Sequence, residues 1–306
     1  MYSLIILGAG PAGLAASVYA SRYKINHLVI GSFFDGSLAK AHKIENWPGE
    51  KSISGSDLAV KFYEHAKSLG AEIAEEEVVE ISKEEEIFIV RTNLNKTYQT
   101  KAILVVLGTK HRKLNVVGEE DFLGKGVSYC AVCDGAFFKN KTVAVVGGSN
   151  SAAMAAEMLS EYTEKTYIIY RKKPMRCEPV ILERLEKNPK IEIIYNTNIT
   201  KVAGDKKVEL VEIDNKYKNS SKIKLAGLFI EVGAIPFVGL VRKLGVETSK
   251  GDCIIIDQSG ATNIDGVYAA GDITNGSNEL RQIVTAVSEG AIAATSIYGY
   301  LKKAEK

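Results

Sequence analysis

Cys130 and Cys133 are two thiols separated by two residues and followed directly by Asp134 and Gly135. At this spacing a cysteine pair can close a small disulfide ring and reopen it, which lowers the pKa of one thiol. Asp134 stands beside the pair and can hand a proton to a departing thiolate. A plain turn residue before Gly135 is the competing reading of Asp134. For the thiols, the competing readings are a zinc site and two packed core cysteines. Zinc would require two further ligands nearby, such as a second cysteine pair or a pair of histidines. Cys177 and Cys253 stand alone, and the four histidines (His27, His42, His65, His111) are scattered, so no metal site is expected. Cys177 and Cys253 read as packing residues. Four cysteines in 306 residues are too few for a disulfide scaffold. In a reducing compartment a lone pair of this kind points to catalysis or metal binding.

Redox thiols need an electron source, and two glycine-rich turns offer one. The first, Gly8-Ala9-Gly10-Pro11-Ala12-Gly13, follows an apolar strand at residues 4–7 and opens a small-residue helix to about residue 23. That is the context a dinucleotide fingerprint requires. Gly8 permits the tight turn, Gly10 lets a pyrophosphate approach the backbone, and Gly13 lets helix and strand pack closely. The helix N-terminus then presents unpaired N–H groups to the phosphates. In such units an acid that binds the adenosine ribose usually ends the next strand, but here Gly31 follows residues 27–30, so that contact must come from elsewhere.

The second turn, Gly147-Gly148-Ser149-Asn150-Ser151-Ala152, follows a strand at residues 142–146 and opens a helix to about residue 162. The next strand covers residues 166–170. Two such units about 140 residues apart mean two nucleotide sites. The second carries cations where the acid would be, in Tyr170-Arg171-Lys172-Lys173-Pro174-Met175-Arg176. Cations without the acid favour a ribose bearing a 2′-phosphate, so NADP(H) over NAD(H), with Arg171, Lys172 and Arg176 as candidate ligands. A merely solvated basic loop is the alternative. Ser149 takes the place of the second fingerprint glycine, and its side chain could crowd the pyrophosphate.

The whole chain is consistent with such a machine. Its 306 residues suggest two domains. Hydrophobic residues at 46% and charged residues at 25% are ordinary for a globular protein. A net charge of +2, with basic residues spread among acidic ones, argues against a nucleic-acid partner. No apolar run reaches about 18 residues, so no membrane helix is expected. The N-terminus reads as a buried strand, not a signal peptide, and a cytoplasmic location follows. Ser54-Gly55-Ser56-Asp57 reads as a helix start, with Leu58, Phe62, Ala66 and Leu69 on one face and a stop at Gly70. Residues 75–100 alternate as antiparallel strands with an exposed acidic hairpin at 83–86, and residues 201–224 read as a second polar meander.

Taken together, these features resemble the low-molecular-weight thioredoxin reductases, over almost the whole chain. The most specific segment is Gly126-Val127-Ser128-Tyr129-Cys130-Ala131-Val132-Cys133-Asp134-Gly135. Glu45-Asn46-Trp47-Pro48-Gly49, Tyr268-Ala269-Ala270-Gly271-Asp272 and Arg281-Gln282-Ile283-Val284-Thr285-Ala286 match in the same order. The resemblance implies an α/β fold of two nested Rossmann-like domains with three-layer ββα architecture, the second inserted in the first. A FAD-binding domain would comprise residues 1–112 and 242–306, and an NAD(P)H-binding domain carrying the thiols residues 113–241. It implies FAD contacts at Gly8, Gly10, Pro11, Ala12, Gly13, Gly36, Asn46, Gly108, Gly271, Asp272, Arg281, Gln282 and Ile283. Asp272 would face the ribityl region, and the helix starting near Arg281 would aim its N-terminus at the isoalloxazine. Gly147, Gly148, Ser149, Asn150, Ser151, Arg171, Lys172 and Arg176 would hold NADPH.

The implied reaction passes hydride from NADPH to FAD, then reduces the Cys130–Cys133 disulfide. Cys133 would sit against the flavin while Cys130 attacks the disulfide of thioredoxin or a glutaredoxin-like protein. Nicotinamide and thiols cannot share one flavin face, so the resemblance implies rotation of the inserted domain about its two joins, and a homodimer. Two departures from the family pattern bear on the donor. The family usually reads Gly-Gly-Gly where Ser149 stands, and His where Tyr170 stands. Ferredoxin, a deazaflavin or NADH are therefore rival donors. A ferredoxin–NADP reductase-like flavoprotein is a rival class, but such relatives lack the cysteine pair.

Overall fold

The computed structural model describes residues 1–304. The chain opens on β1 (Tyr2–Leu7), α1 (Pro11–Arg22) and β2 (His27–Ile30), followed by α2 (Gly55–Ser68), β3 (Glu72–Ala74) and a meander of β4 (Val78–Glu84), β5 (Ile87–Thr92) and β6 (Thr97–Val105). A crossing strand, β7 (Thr109–His111), leads to β8 (Val127–Ser128), α3 (Ala131–Asp134), β9 (Thr142–Val146), α4 (Asn150–Tyr162) and β10 (Lys165–Ile169). Next come α5 (Pro179–Lys187), β11 (Ile191–Ile194), β12 (Ile199–Ala203), β13 (Leu210–Tyr217), β14 (Ser220–Lys224) and β15 (Gly227–Ile230). A second crossing, β16 (Ala234–Pro236), returns the chain to α6 (Gly239–Arg242), β17 (Val267–Ala269) and α7 (Ile283–Ala304). Two compact units result: Met1–Lys110 with Ile235–Lys306, and His111–Ala234. The crossing strands β7 and β16 pair as a two-stranded ribbon.

In the first unit β3, β2, β1, β6 and β17 lie side by side in parallel, and the first half of β6 also pairs antiparallel with β5. Every residue of Leu4–Leu7 is apolar because β1 is covered on both faces. Leu4 and Ile6 pack with Leu14 of α1, Leu58 of α2 and Ile297 of α7. Ile5 and Leu7 point the other way, onto Ile81 of β4 and Phe88 and Val90 of β5. Each fully buried Leu or Ile contributes roughly 1.5–3 kcal/mol. Helices, parallel sheet and antiparallel meander thus form three layers.

The second unit repeats the plan. Its parallel sheet runs β11-β10-β9-β15-β8. Val143 and Val145 of β9 pack on Ala152 and Leu159 of α4 and Leu185 of α5, while Ala144 and Val146 face Val202, Val211 and Ile223 of the antiparallel sheet β12-β13-β14. The fold is therefore α/β, with two Rossmann-like units, the second inserted in the first.

Some expectations need adjustment. Leu69 is 39% exposed at the C-cap of α2, and Ala59 is buried on that helix instead. Residues 201–224 are less polar than they read, because their alternate residues close one face of the second core. The second join falls at 234/235, since Val238 and Val241 bury in the first unit's core. Among the described residues, no helix is long and apolar enough to cross a membrane, and no cluster of residues is arranged to hold a metal.

Candidate active site

Cys130 and Cys133 are joined in a disulfide with Cα atoms 5.3 Å apart. The chain is fixed on both sides of the ring. Ser128, buried at the end of β8, donates its hydroxyl to Cys130 O (3.2 Å) and accepts the Cys130 N–H (3.0 Å). Ala131 enters the second unit's core, and a Cβ at Gly135 would stand 2.9 Å from Met158 Cε. The Tyr129 hydroxyl donates to Glu119 Oε1 (2.5 Å). Glu119 is buried, and its carboxylate also accepts the N–H groups of Leu114 (2.8 Å), Asn115 (2.5 Å) and Val116 (3.3 Å). Burial, with Glu119 beside it, pushes the Tyr129 hydroxyl above the usual tyrosine range.

The two sulfurs differ. Cys130 is half-buried and caps α3, its Sγ accepting the Cys133 N–H (3.1 Å), whereas Cys133 is exposed. A donor aimed at Cys130 Sγ favours negative charge on that sulfur once the ring opens. The Asp134 N–H donates to Cys130 O (3.2 Å), while its carboxylate makes no hydrogen bond among the described residues. Val132 and Phe137 are exposed beside the ring.

The second fingerprint lies in the same unit. Gly147 has φ +150°, and a Cβ there would sit 2.2 Å from Glu231 O, so only glycine fits. Ser149 has φ −101° and ψ −178°, extended backbone like that of Gly10 (φ −81°, ψ −172°), so serine strains nothing in the main chain. No side chain caps the first turn of α4, which leaves its amides open toward a phosphate. A Cβ at Gly148 would lie 2.3–2.5 Å from three ring atoms of Tyr170. Tyr170 is thus a buried packing residue beneath the turn. The cations after it, Arg171, Lys172, Lys173 and Arg176, are exposed. Arg176 N–H donates to Gly148 O (2.6 Å), and Asn150 exchanges two hydrogen bonds with Glu178. Burial alone pushes the Glu231 carboxyl up to about 7.

In the first unit Gly8 has φ +121°, and a Cβ there would meet Val106 O at 2.5 Å. A Cβ on Gly13 would meet Gly8 O at 2.0 Å, whereas the space around Gly10, Gly36 and Gly108 is open for 4 Å. Gly10 provides no side-chain cap for α1, and Pro11 starts that helix, so this turn too fits a pyrophosphate. Gly31, which stands where an acid was sought, has φ +148°, and its Cβ would meet Ala9 N at 3.0 Å. The fingerprint turn itself therefore excludes a side chain there. Gly271 brings the following Asp272 close, since its Cβ would be 3.2 Å from Ala12 Cβ. Burial pushes the Asp272 carboxyl up, opposed by the Arg281 guanidinium and reinforced by Glu289. Arg281 Nη2 donates to Cys253 Sγ (3.4 Å), and Asn46 Nδ2 to Gln282 Oε1 (3.0 Å).

The sequence matches the pyridine nucleotide-disulphide oxidoreductase profile over residues 2–290. It is 38% identical to a thioredoxin reductase of Listeria innocua over 306 residues, 99% of this chain and 95% of the other. The chain belongs to the pyridine nucleotide-disulphide oxidoreductases, in their low-molecular-weight thioredoxin reductase branch. Its fold is similar to that of Lactococcus lactis thioredoxin reductase (TM-score 0.94, 35% identity, 99% of this chain and 100% of that one). It is likewise similar to that of T. acidophilum thioredoxin reductase (TM-score 0.91, 38% identity, 97% of this chain and 98% of that one).

As a pyridine nucleotide-disulphide oxidoreductase, the chain is an oxidoreductase of a family that works with a flavin and a pyridine nucleotide. Its predicted residues fall into separate neighbourhoods. The first unit brings Asn46 to Gln282 and Gly271 to Ala12. The second holds the thiols, the fingerprint at 147–152 and the cations at 171–176. Sequence reasoning missed four side chains: Glu119 and Ser128, which fix the thiol segment, and Glu178 and Glu231, at the second fingerprint. Their signal was weak because each acts through backbone or through one distant partner.

Proposed function

We propose that this oxidoreductase is a thioredoxin-disulfide reductase. NADPH would be its electron donor, FAD its prosthetic group, and thioredoxin or a glutaredoxin-like protein its disulfide substrate. The carrying observation is the Cys130–Cys133 ring, exposed at Cys133, with the Cys133 N–H aimed at Cys130 Sγ. When bound, the flavin supplies a two-electron link between a reduced nicotinamide and this disulfide. The reduced pair then acts as a dithiol. Cys130 thiolate attacks one sulfur of the external disulfide, expelling the other as a thiolate, which takes a proton. Cys133 attacks the mixed disulfide, the substrate leaves with both its sulfurs reduced, and the ring re-forms. Asp134 supplies the proton.

Supporting a flavin are the open Gly10 turn and the half-buried Asp272 with the Arg281 charge nearby. NADPH is supported by three exposed cations, Arg171, Lys172 and Arg176, that have no carboxylate partner among the described residues. Ser149 adds no main-chain strain to the turn that would receive the pyrophosphate. A homodimer and a cytoplasmic setting belong to the same reading, in which Cys177 and Cys253 stay as free thiols. Coupled reduction of thioredoxin and insulin tests the activity. The Cys133→Ser variant should lose it, and unchanged turnover would overturn the thiol roles. Stopped-flow bleaching of the flavin by NADPH, NADH and reduced ferredoxin tests the donor. Slow bleaching by both nicotinamides would move the donor to ferredoxin or a deazaflavin.

A further inference from the structure

The basic segment that follows β10 is held down, not free. Its exposed cations alternate with anchors. Tyr170 is buried under Gly148, Met175 is buried in the second unit's core, and the Arg176 N–H bonds to Gly148 O (2.6 Å). The last anchor is a two-point clasp. Asn150 Nδ2 donates to Glu178 Oε1 (2.9 Å), and the Glu178 N–H donates to Asn150 Oδ1 (2.8 Å). Asn150 is the first residue of α4, and Glu178 is the N-cap of α5. The clasp therefore joins the end of the basic segment to the helix that begins at the fingerprint turn.

An acid in this place needs a reason. Glu178 is exposed and lies two residues from Arg176, where its charge opposes binding of a phosphate. It forms no ion pair with the nearby cations, being engaged by an amide and a backbone N–H instead. The clasp orients the acid away from the role of counter-ion and leaves the cations unneutralised. It also engages the Asn150 side-chain amide.

We propose that Glu178 is a positioning and specificity-determining residue. Through its clasp on Asn150 it holds the cations at 171–176 in fixed register with the fingerprint turn, so that one nucleotide meets both its pyrophosphate and its 2′-phosphate sites. The ligand class is a dinucleotide carrying a ribose 2′-phosphate. This inference rests on the NADPH reading above and adds to it the residue that couples the two subsites.

The test is equilibrium binding of NADP⁺ and NAD⁺ to the flavin-loaded protein by calorimetry, beside steady-state kinetics with NADPH. Glu178→Ala should weaken NADP⁺ roughly tenfold, the worth of one such clasp, and NAD⁺ by less than about threefold. KM for NADPH should rise with kcat unchanged, because the clasp touches no reacting atom. Glu178→Gln keeps both an acceptor for the amide and the backbone donor and removes a charge that opposes a phosphate, so it should bind NADP⁺ at least as tightly as the unmodified protein. Should Glu178→Ala fold poorly, Asn150→Ala removes both bonds of the clasp where Glu178→Ala removes one, and should give a selective loss at least as large. Equal weakening of NADP⁺ and NAD⁺, or none, would overturn the positioning role while leaving the NADPH reading intact. Failure of the unmodified protein to bind NADP⁺ would overturn both.

Discussion

Gly148→Ala should damage the second unit through Tyr170, and the size of the effect can be worked from distances. The added Cβ would stand 2.3, 2.4 and 2.5 Å from three atoms of the Tyr170 ring. Comfortable carbon contacts lie at about 3.5–4.0 Å, so ring and turn must separate by about 1 Å. Tyr170 is only 5% exposed and packs in the core with Met175, so it has nowhere to swing. Overpacking of this kind costs about 1–3 kcal/mol. For a chain of this size that lowers the melting temperature by roughly 2–5 °C. A double-mutant cycle read by urea unfolding isolates the cause. In a Tyr170→Leu background the ring is gone, and Gly148→Ala should then cost less than about 0.5 kcal/mol, a coupling of at least about 0.5 kcal/mol. The same cost in both backgrounds would refute the packing argument.

Three further outcomes are expected. Gly10→Ala adds a methyl group to open space at an unstrained φ of −81°, so melting of the flavin-free protein should hardly change, while flavin content, read from the visible absorbance, should fall. Full flavin content in Gly10→Ala would mean that the pyrophosphate does not lie over this turn. Glu119→Ala strips a buried acceptor from three N–H groups and the Tyr129 hydroxyl, and should cost about 3 kcal/mol or more in urea unfolding; under about 1 kcal/mol would show the network to be dispensable. Glu231 titrates at about 7 in the folded chain against about 4.5 unfolded, so the folded state binds the extra proton between these values. Its contribution is therefore lost as pH rises from 4.5 to 7 and stays lost above. Glu231→Gln should match the unmodified protein at pH 4 and be more stable at pH 8 by up to roughly 3 kcal/mol, and parallel pH curves would remove the argument.

The strands and helices that carry the two glycine turns could be read in the sequence because the signals are local. Residues 4–7 and 143–146 are apolar runs covered on both faces, and a glycine turn ends each. The thiol pair was equally plain from its spacing. What stayed hidden depends on contacts between residues far apart. Gly31 looked like a missing acid, yet it is a glycine because the turn at Ala9 leaves no room for a side chain. Tyr170 looked like part of a charged loop, yet its ring lies in the core. Asn150 was visible only as part of the glycine-rich turn, yet its side-chain amide is bonded to Glu178, 28 residues later. Residues 235–241 seemed to belong with the insertion, but Val238 and Val241 bury in the other core. In each case the residue type was visible and its partner was not.

The paired crossing strands have a consequence for how such a chain can be assembled. Because β7 and β16 lie side by side, the inserted segment leaves and re-enters its host at neighbouring points. A segment with adjoining ends can be cut out and replaced by a short linker with little loop-closure penalty. At the level of the gene it is a cassette. This cassette holds the cysteines together with the second glycine turn, so a single exchange of DNA would transplant the thiol chemistry and the nucleotide preference as one heritable package.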